Sequence, residues 1–350
     1  DRSIEREAFK SGEIDFFSEN SSKEWATSYE VPAVKNGLII KELIDHENPQ
    51  GMQAFAFNIR KDFFKDIKVR QALSYAFDFE WTNKNLFYGA YKRTNSFFEN
   101  SELASTKLPV GKELELLNVY KNNLPIEVFT KEFNPPKTDG SGFIRKELSQ
   151  AASLIKEAGW ELKGGKLVNK KTNKLFEFEI LLVSPAFERI VLPFKDNLEK
   201  LGLSVNIRTI DSAQYQKRLE TFDFDMVVRT FSQSLSPGNE QRNFWGSEAA
   251  DTNGSRNIIG IKNPIIDSLI EEIISSTDRN DLIVSTKALD RTLLWNHYVI
   301  PQWHISSYRT LHWDIFDKPN IRPKYSLGTN TWWIDNTKVN TLNKRKKIIQ

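Results

Sequence analysis

Cysteine is absent from all 350 residues, so disulfides, thiolate nucleophiles and thiolate metal sites are excluded. That absence suits the periplasm and the cytosol alike. No run approaches the ~18 apolar residues that a membrane-spanning helix requires, and the opening residues do not read as a signal peptide. Histidine is scarce, with only His46, His297, His304 and His312. His-Glu-x-x-His, Walker, Gly-x-Ser-x-Gly and Gly-x-Gly-x-x-Gly patterns are all missing. His297 and His304 flank Pro301 and do not make a metal site, and nothing in the chain calls for a cofactor. The formal charge is close to balance at +3 with no basic stripe in the body, which argues against nucleic acid. The basic run Lys344-Arg345-Lys346-Lys347 reads as a solvated tail. Asp223 and Asp225 point the same way along a strand, but they flank its start and read as edge punctuation, not as an acid/base pair. An enzyme is therefore disfavoured.

What is present is a chain long enough for two lobes, each with its own core. Its centre of interest is Phe222–Asn257. Phe224, Met226, Val227 and Val228 form a short apolar run whose mixed period fits a strand buried on both faces. A long polar loop follows, with Gln233, Ser234, Pro237 and Gly238. Loops of that length are uncommon unless functional. Arg229 and Phe231 sit where strand becomes loop, the usual ligand-facing place in open α/β sheets.

The run Phe222-Asp223-Phe224-Asp225-Met226, the Ser236-Pro237-Gly238-Asn239-Glu240-Gln241 loop, Phe244-Trp245-Gly246-Ser247 and Gly254-Ser255-Arg256-Asn257 together resemble the solute-binding subunits of peptide ABC importers. The YejA-type branch, associated with oligopeptides and cell-wall peptides, is the most similar. A second block agrees: Phe57-Asn58-Ile59-Arg60, then Phe64 through Val69-Arg70-Gln71-Ala72-Leu73 to Tyr75-Ala76. The resemblance implies a two-lobe α/β periplasmic-binding-protein-like fold of the peptide-binding class, with lobe I incomplete. The opening Ala8-Phe9-Lys10-Ser11-Gly12-Glu13-Ile14-Asp15 is similar to a segment well inside that family, so a truncated chain is expected. The expected divisions are the later part of lobe I at 1–59, lobe II at 60–298, a return to lobe I at 299–340 and a basic tail at 341–350.

Local pattern supplies the elements. Residues 4–10, 69–77, 113–120, 145–158, 264–274 and 278–295 carry helical apolar spacing or helix stops. Residues 37–43 and 53–59 read as two lobe I strands, and 125–129 as another strand. Lys166–Val168 is expected to pair with Leu175–Leu182 across an exposed turn. Phe176–Val183, the helix 187–201 and Leu203–Ile210 make a βαβ unit.

A peptide cleft needs partners for a backbone, aromatic walls and charges for termini. The candidate ligand-binding residues are Arg229, Phe231, Gln233, Ser234, Arg256, Asn257, Trp303 and Arg93. Arg256 suits a carboxylate or phosphate, and equally a surface salt bridge. Arg229 equally suits a buried structural pair. Many members of the family hold the ligand's amino group with an Asp in the loop where this chain has Gln233 or a neighbour, all uncharged. Gln supplies no carboxylate, so a longer, modified or N-blocked peptide, or a muropeptide, is expected. The resemblance implies an extracytoplasmic, periplasmic binding subunit that closes on its ligand by a hinge. Its expected partners are a peptide ligand, an inner-membrane permease with cytosolic ATPases, and the missing N-terminal segment of lobe I. The alternatives are a truncated remnant with only a structural or interaction role and, less favoured, a cell-wall hydrolase.

Overall fold

The computed structural model describes residues 2–349, with side chains as far as Lys344. The chain packs into two compact units. One holds the residues up to Asn48, Asn85–Ala90 and the residues from Ile305; the other holds Pro49–Lys84 and Tyr91–His304. The sequence places the divisions after residues 59 and 298. The compact units part after Asn48 and His304, and the Gln50–Phe57 and Val299–Pro301 strands hydrogen-bond into the sheet of the second unit.

The first unit is built on a three-stranded antiparallel sheet in the order Phe16–Ser18, Ser307–Trp313, Ile39–Asp45. The Arg2–Ser11 helix buries Phe9 against Phe17, with ring centroids 5.8 Å apart. The Trp313 indole donates to the Phe9 carbonyl at 3.0 Å. On the same helix face, Arg6 pairs with the buried Glu19 at 3.0 Å, and the Tyr29 hydroxyl donates to that carboxylate at 2.7 Å. The expected basic tail is part of a helix, Asn336–Ile349, because Leu342 buries its side chain in the core with Phe9, Phe17 and Trp313. The side chains of Arg345, Lys346 and Lys347 lie outside the described residues.

The second unit is organised by a six-stranded mixed sheet. Its order is Val299–Pro301, Gln50–Phe57, Met226–Phe231, Glu177–Leu182, Ser204–Thr209, with Phe98–Glu99 paired to the start of Gln50–Phe57. The unbroken apolar run Ala54-Phe55-Ala56-Phe57 is wholly buried, as a strand covered on both faces requires. On one face Phe55 packs on Phe77 (5.4 Å) and stacks on Phe194 (4.9 Å). On the other, Ala54 and Ala56 join Trp245 and the apolar stripes of the Pro264–Ser275 and Arg279–Trp295 helices. Each fully buried Phe or Leu contributes about 1.5–3 kcal/mol. The βαβ unit forms as the pattern implies: Glu177–Leu182 and Ser204–Thr209 pair in parallel around the Glu188–Lys200 helix, which buries Ile190, Val191, Phe194 and Leu198.

Three local expectations change. Residues Glu127–Thr130 form a helical turn, not a strand. Lys166–Asn169 pairs along its length with Trp160–Lys163, and its expected pairing with Leu175–Leu182 is reduced to one antiparallel bridge between Val168 and Leu175 and the Phe176 N–H bond to the Leu167 carbonyl. The cause is the Gly164-Gly165 step, at φ +56° and +79°, which makes the tight two-residue turn that fixes this hairpin. The long polar loop carries a helix, Glu240–Trp245, and a 3-10 turn, Glu248–Asp251.

The signature residues turn out to be stitching. Asn58 donates to the carbonyls of Phe222 and Phe224. Arg60 donates to the Ala250, Asn257 and Ile258 carbonyls and to Asn58 Oδ1, with its guanidinium 3.8 Å from the Phe222 ring centroid. Gly260 is required beside it, since a Cβ there would strike the Arg60 guanidinium. Arg70 donates to the carbonyls of Phe64, Lys65, Asn296 and His297, closing the end of the Arg279–Trp295 helix. Asp290, fully buried on that helix, accepts from Ser96 Oγ, Phe97 N–H, Ser105 N–H and Ser105 Oγ at 2.7–2.9 Å. Burial pushes its pKa up while these donors pull it down.

Candidate functional site

Pairing fixes where the strand ends of the second unit gather. Gln50–Phe57 is antiparallel to both its neighbours, and the remaining pairs along the sheet are parallel. Val299–Pro301, Met226–Phe231, Glu177–Leu182 and Ser204–Thr209 therefore all run one way, and their carboxyl ends open on one edge. In open α/β sheets that edge is where ligands are held. Met52 lies opposite Phe231, Gln53 opposite Thr230, and Ala54 opposite both Arg229 and Pro301. Gln302 extends the row, donating its N–H to the Gln53 carbonyl and accepting from Gln53 Nε2, both at 2.8 Å. Gly51 is needed at this edge: a Cβ would run into the Phe231 carbonyl.

Beyond Gln302 the chain forms a two-residue ribbon, Trp303–His304 against Lys92–Arg93, with Trp303 directly opposite Arg93. Side chains opposite one another leave from the same face. Phe187, just past the Glu177–Leu182 strand, stacks on Trp303 at 6.0 Å and 16°, and Tyr91 tilts against it at 6.1 Å. Three rings from three chain segments thus make one aromatic wall. Arg93 lies over the rings of Phe77 (4.9 Å) and Phe79 (5.3 Å). Part of its stem is accessible, yet all three guanidinium nitrogens are closed to solvent and have no hydrogen-bond partner among the described residues. Burial lowers its pKa to about 10, against the pull of Glu80 and Asp78, so it is charged at neutral pH. His304, next to Trp303, is lowered to about 4 by burial and the nearby Lys92 charge; its Nδ1 lies 3.1 Å from Thr94 Oγ1.

The polar loop after Phe231 supplies a second group. Gln233 accepts from Gln241 Nε2 at 2.7 Å, and Gln241 accepts from the Trp245 indole at 2.9 Å. The Gln233 Nε2 is left buried without a partner among the described residues. Ser234 is exposed and accepts from the Ser236 N–H. Arg229 is half-buried, and no hydrogen bond or ion pair reaches its guanidinium among the described residues. It lies close enough to Tyr215 to pull that phenol down, though burial still raises it to about 12.

Two of the sequence candidates, Phe231 and Asn257, are not free for a ligand, and a third, Arg256, lies on the Phe244 ring. Phe231 is 1% exposed and packs against Phe97 and Trp245, because an apolar side chain at the last strand position points into the core. Asn257 is fully buried with its amide spent on Gly246 O, Ile261 O and the N–H groups of Gly260 and Ile261. Arg256 is exposed with its guanidinium 5.1 Å from the Phe244 ring centroid. Its N–H donates to Asn243 Oδ1 on the Glu240–Trp245 helix at 2.6 Å, while its neighbour Asn257 accepts from Arg60. Phe187 was not singled out from sequence; its only signal was its place just after a βα turn. Asp223 and Asp225 are held by Arg218 (3.2 Å) and Lys61 (3.1 Å), as structural punctuation.

Against known proteins, the family model "Bacterial extracellular solute-binding proteins, family 5 Middle" matches residues 1–253. The chain is 44% identical over 336 residues to the probable peptide-binding protein YejA of Agrobacterium fabrum, covering 95% of this chain and 55% of that protein. It is 39% identical to the peptidoglycan-binding protein YepA of the same organism, covering 93% of this chain and 54% of YepA. The chain thus spans little more than half the length of these relatives. In fold it is similar to the oligopeptide-binding protein AppA of Bacillus subtilis, solved with a nonapeptide. The TM-score is 0.68 at 18% identity, covering 96% of this chain and 59% of AppA. Among the described residues no helix is long and apolar enough to cross a membrane.

Proposed function

Since the chain belongs to family 5 of the bacterial extracellular solute-binding proteins, we propose that it captures oligopeptides or peptide-containing compounds outside the cytoplasm for an ABC importer. The observation that carries this reading is the edge described above. An aromatic wall of Phe187, Trp303 and Tyr91 stands beside the unpaired donors of Arg93, and the same carboxyl-end edge of the sheet carries Arg229 and the unpaired Gln233 Nε2. A peptide offers what such an edge takes: side chains for the rings and carbonyls for the donors. The names of YejA, YepA and AppA, which refer to peptides or peptidoglycan, support the same class of ligand. Capture proceeds by hinge closure in the periplasm, followed by delivery to an inner-membrane permease with cytosolic ATPases. The protein works by binding and not by catalysis.

Gln233 stands where a carboxylate would hold a free amino terminus, so the ligand is a longer, modified or N-blocked peptide, or a muropeptide. Calorimetric titration of the full-length gene product with one peptide in free and N-acetylated forms tests this. Comparable or tighter binding of the acetylated form is expected, and a strong preference for the free amine refutes it. Trp303→Ala should weaken either form by about 1–3 kcal/mol, the scale of a lost aromatic contact. Unchanged affinity removes the wall from the site.

A further inference from the structure

The second unit buries several arginines, and it treats one of them differently. Arg60 and Arg70 each give their donors to carbonyls or an amide oxygen. Arg291 pairs with Glu113 at 2.9 Å and also donates to the Lys107 carbonyl. Arg93 does none of this: Nε, Nη1 and Nη2 are all without an acceptor among the described residues. Buried polar groups in folded proteins are nearly always paired, and an unpaired buried charge is strongly unfavourable. The side chain is nonetheless held firmly. Its strand is pinned by the Thr94 N–H to the Gln302 carbonyl at 3.1 Å, and its guanidinium lies over Phe77 and Phe79. Asp290 fixes the segment that follows.

We propose that Arg93 receives a carboxylate of the bound ligand, so that the edge selects acidic peptides. This rests on the peptide-binding reading above. The planar fork matches a carboxylate with two parallel hydrogen bonds. Two nearby carboxylates argue for a singly charged group over a dianionic phosphate. Asp78 and Glu80 act on Arg93 electrostatically but take none of its donors. Asp78 Oδ1 is engaged by the Trp81 N–H and the Thr138 hydroxyl, and Glu80 Oε2 by the Thr138 N–H; Asp78 Oδ2 is buried without a hydrogen bond among the described residues and gives Arg93 counter-charge only. They neutralise part of the cation and leave its hydrogen bonds open. Gln302, whose Nε2 also lacks an acceptor among the described residues, lies one residue from Trp303 and offers a further donor. Since the nitrogens are closed to solvent, the rings that cover them part to admit the anion.

The test uses the full-length gene product and four versions of one N-acetylated peptide with a single glutamate: the parent, its C-terminal amide, its Glu-to-Gln analogue, and one with phosphoserine in place of glutamate. Wild-type protein is expected to lose about tenfold to a hundredfold in affinity on one of the two neutralisations, the scale of a charged hydrogen-bonded pair. Which neutralisation matters tells a terminal carboxylate from a side-chain one. Arg93→Gln should bind the parent and that neutral form equally, and the neutral form about as tightly as wild type does. The inference is overturned if wild type does not discriminate, if Arg93→Gln still does, or if the phosphorylated peptide binds best. If wild type binds none of the four, the peptide-binding reading itself falls. Melting without ligand gives an independent check. Arg93→Met removes a buried cation whose hydrogen bonds are unmade and whose charge Asp78 and Glu80 offset only in part, so its Tm should equal or exceed that of wild type. A fall of several degrees would mark Arg93 as a structural cation and overturn the proposal.

Discussion

Replacing Asp290 with alanine should damage the second unit more than its position, remote from the aromatic wall in sequence, would suggest. The carboxylate accepts four hydrogen bonds, two from hydroxyls and two from the N–H groups of Phe97 and Ser105. The hydroxyls can rotate to other acceptors, but the two buried N–H groups cannot. Leaving each unpaired costs about 1–3 kcal/mol, and breaking a buried charged network typically costs about 3–5 kcal/mol in total. In a unit of this size each kcal/mol moves Tm by about 2–4 °C, so the variant should melt about 6–20 °C below wild type by calorimetry. Asp290→Asn keeps the shape and one acceptor and should fall between. Peptide affinity should drop in the alanine variant as well, because the segment that Asp290 anchors follows directly on Arg93. An Asp290→Ala protein melting within about 2 °C of wild type would refute the argument that this carboxylate anchors that segment.

Arg60→Ala should lower the urea midpoint by the equivalent of about 3–5 kcal/mol, since it releases the carbonyls of Ala250, Asn257 and Ile258 together; a change below 1 kcal/mol, well under that ~3–5 kcal/mol, would show that the stitching is redundant. Gly51→Ala forces a Cβ onto the Phe231 carbonyl and should cost about 1–3 kcal/mol. Its peptide affinity should fall too, because the backbone shifts at the site edge, and a wild-type melting curve would contradict this. His297 and His304 are both held to about 4 in the fold, chiefly by burial, against a usual value of 6.5. Their folded pKa values are depressed, so the unfolded chain binds protons that the folded one does not, and stability falls as pH drops from about 6.5 towards about 4. Asp290 and Glu113, whose pKa values burial raises, act in the opposite sense in acid. The difference between wild type and His297→Gln/His304→Gln isolates the histidine contribution. If the two proteins lose stability in parallel over that window, the histidines are not neutral in the fold.

Much of the architecture was legible in sequence, because its causes are local. The helix Arg279–Trp295 announces itself by its Asp278 cap and apolar spacing, and the βαβ unit by two apolar runs around an amphipathic helix. The blocks around Asn58–Arg60 and Arg70 were legible as family marks. Their sequence does not reveal that they bind carbonyls in chain segments far away. Among the aromatics of residues 81–100, Tyr91 faces Trp303 while Phe97 and Phe98 fill the core, and composition alone does not distinguish them.

The sequence by itself determined the fold class, the family and the residue types at the strand ends. Apolar period, turn chemistry and helix caps act within a few residues, so a linear pattern contains them. Only the tertiary structure decided that Gln50–Phe57 hydrogen-bonds into the sheet of the second unit, that the Asn257 amide is spent on Gly246, Gly260 and Ile261, and that Arg93 meets Trp303 across the chain. Whether a buried donor finds an acceptor depends on which distant segments fold beside it, and no local pattern encodes that.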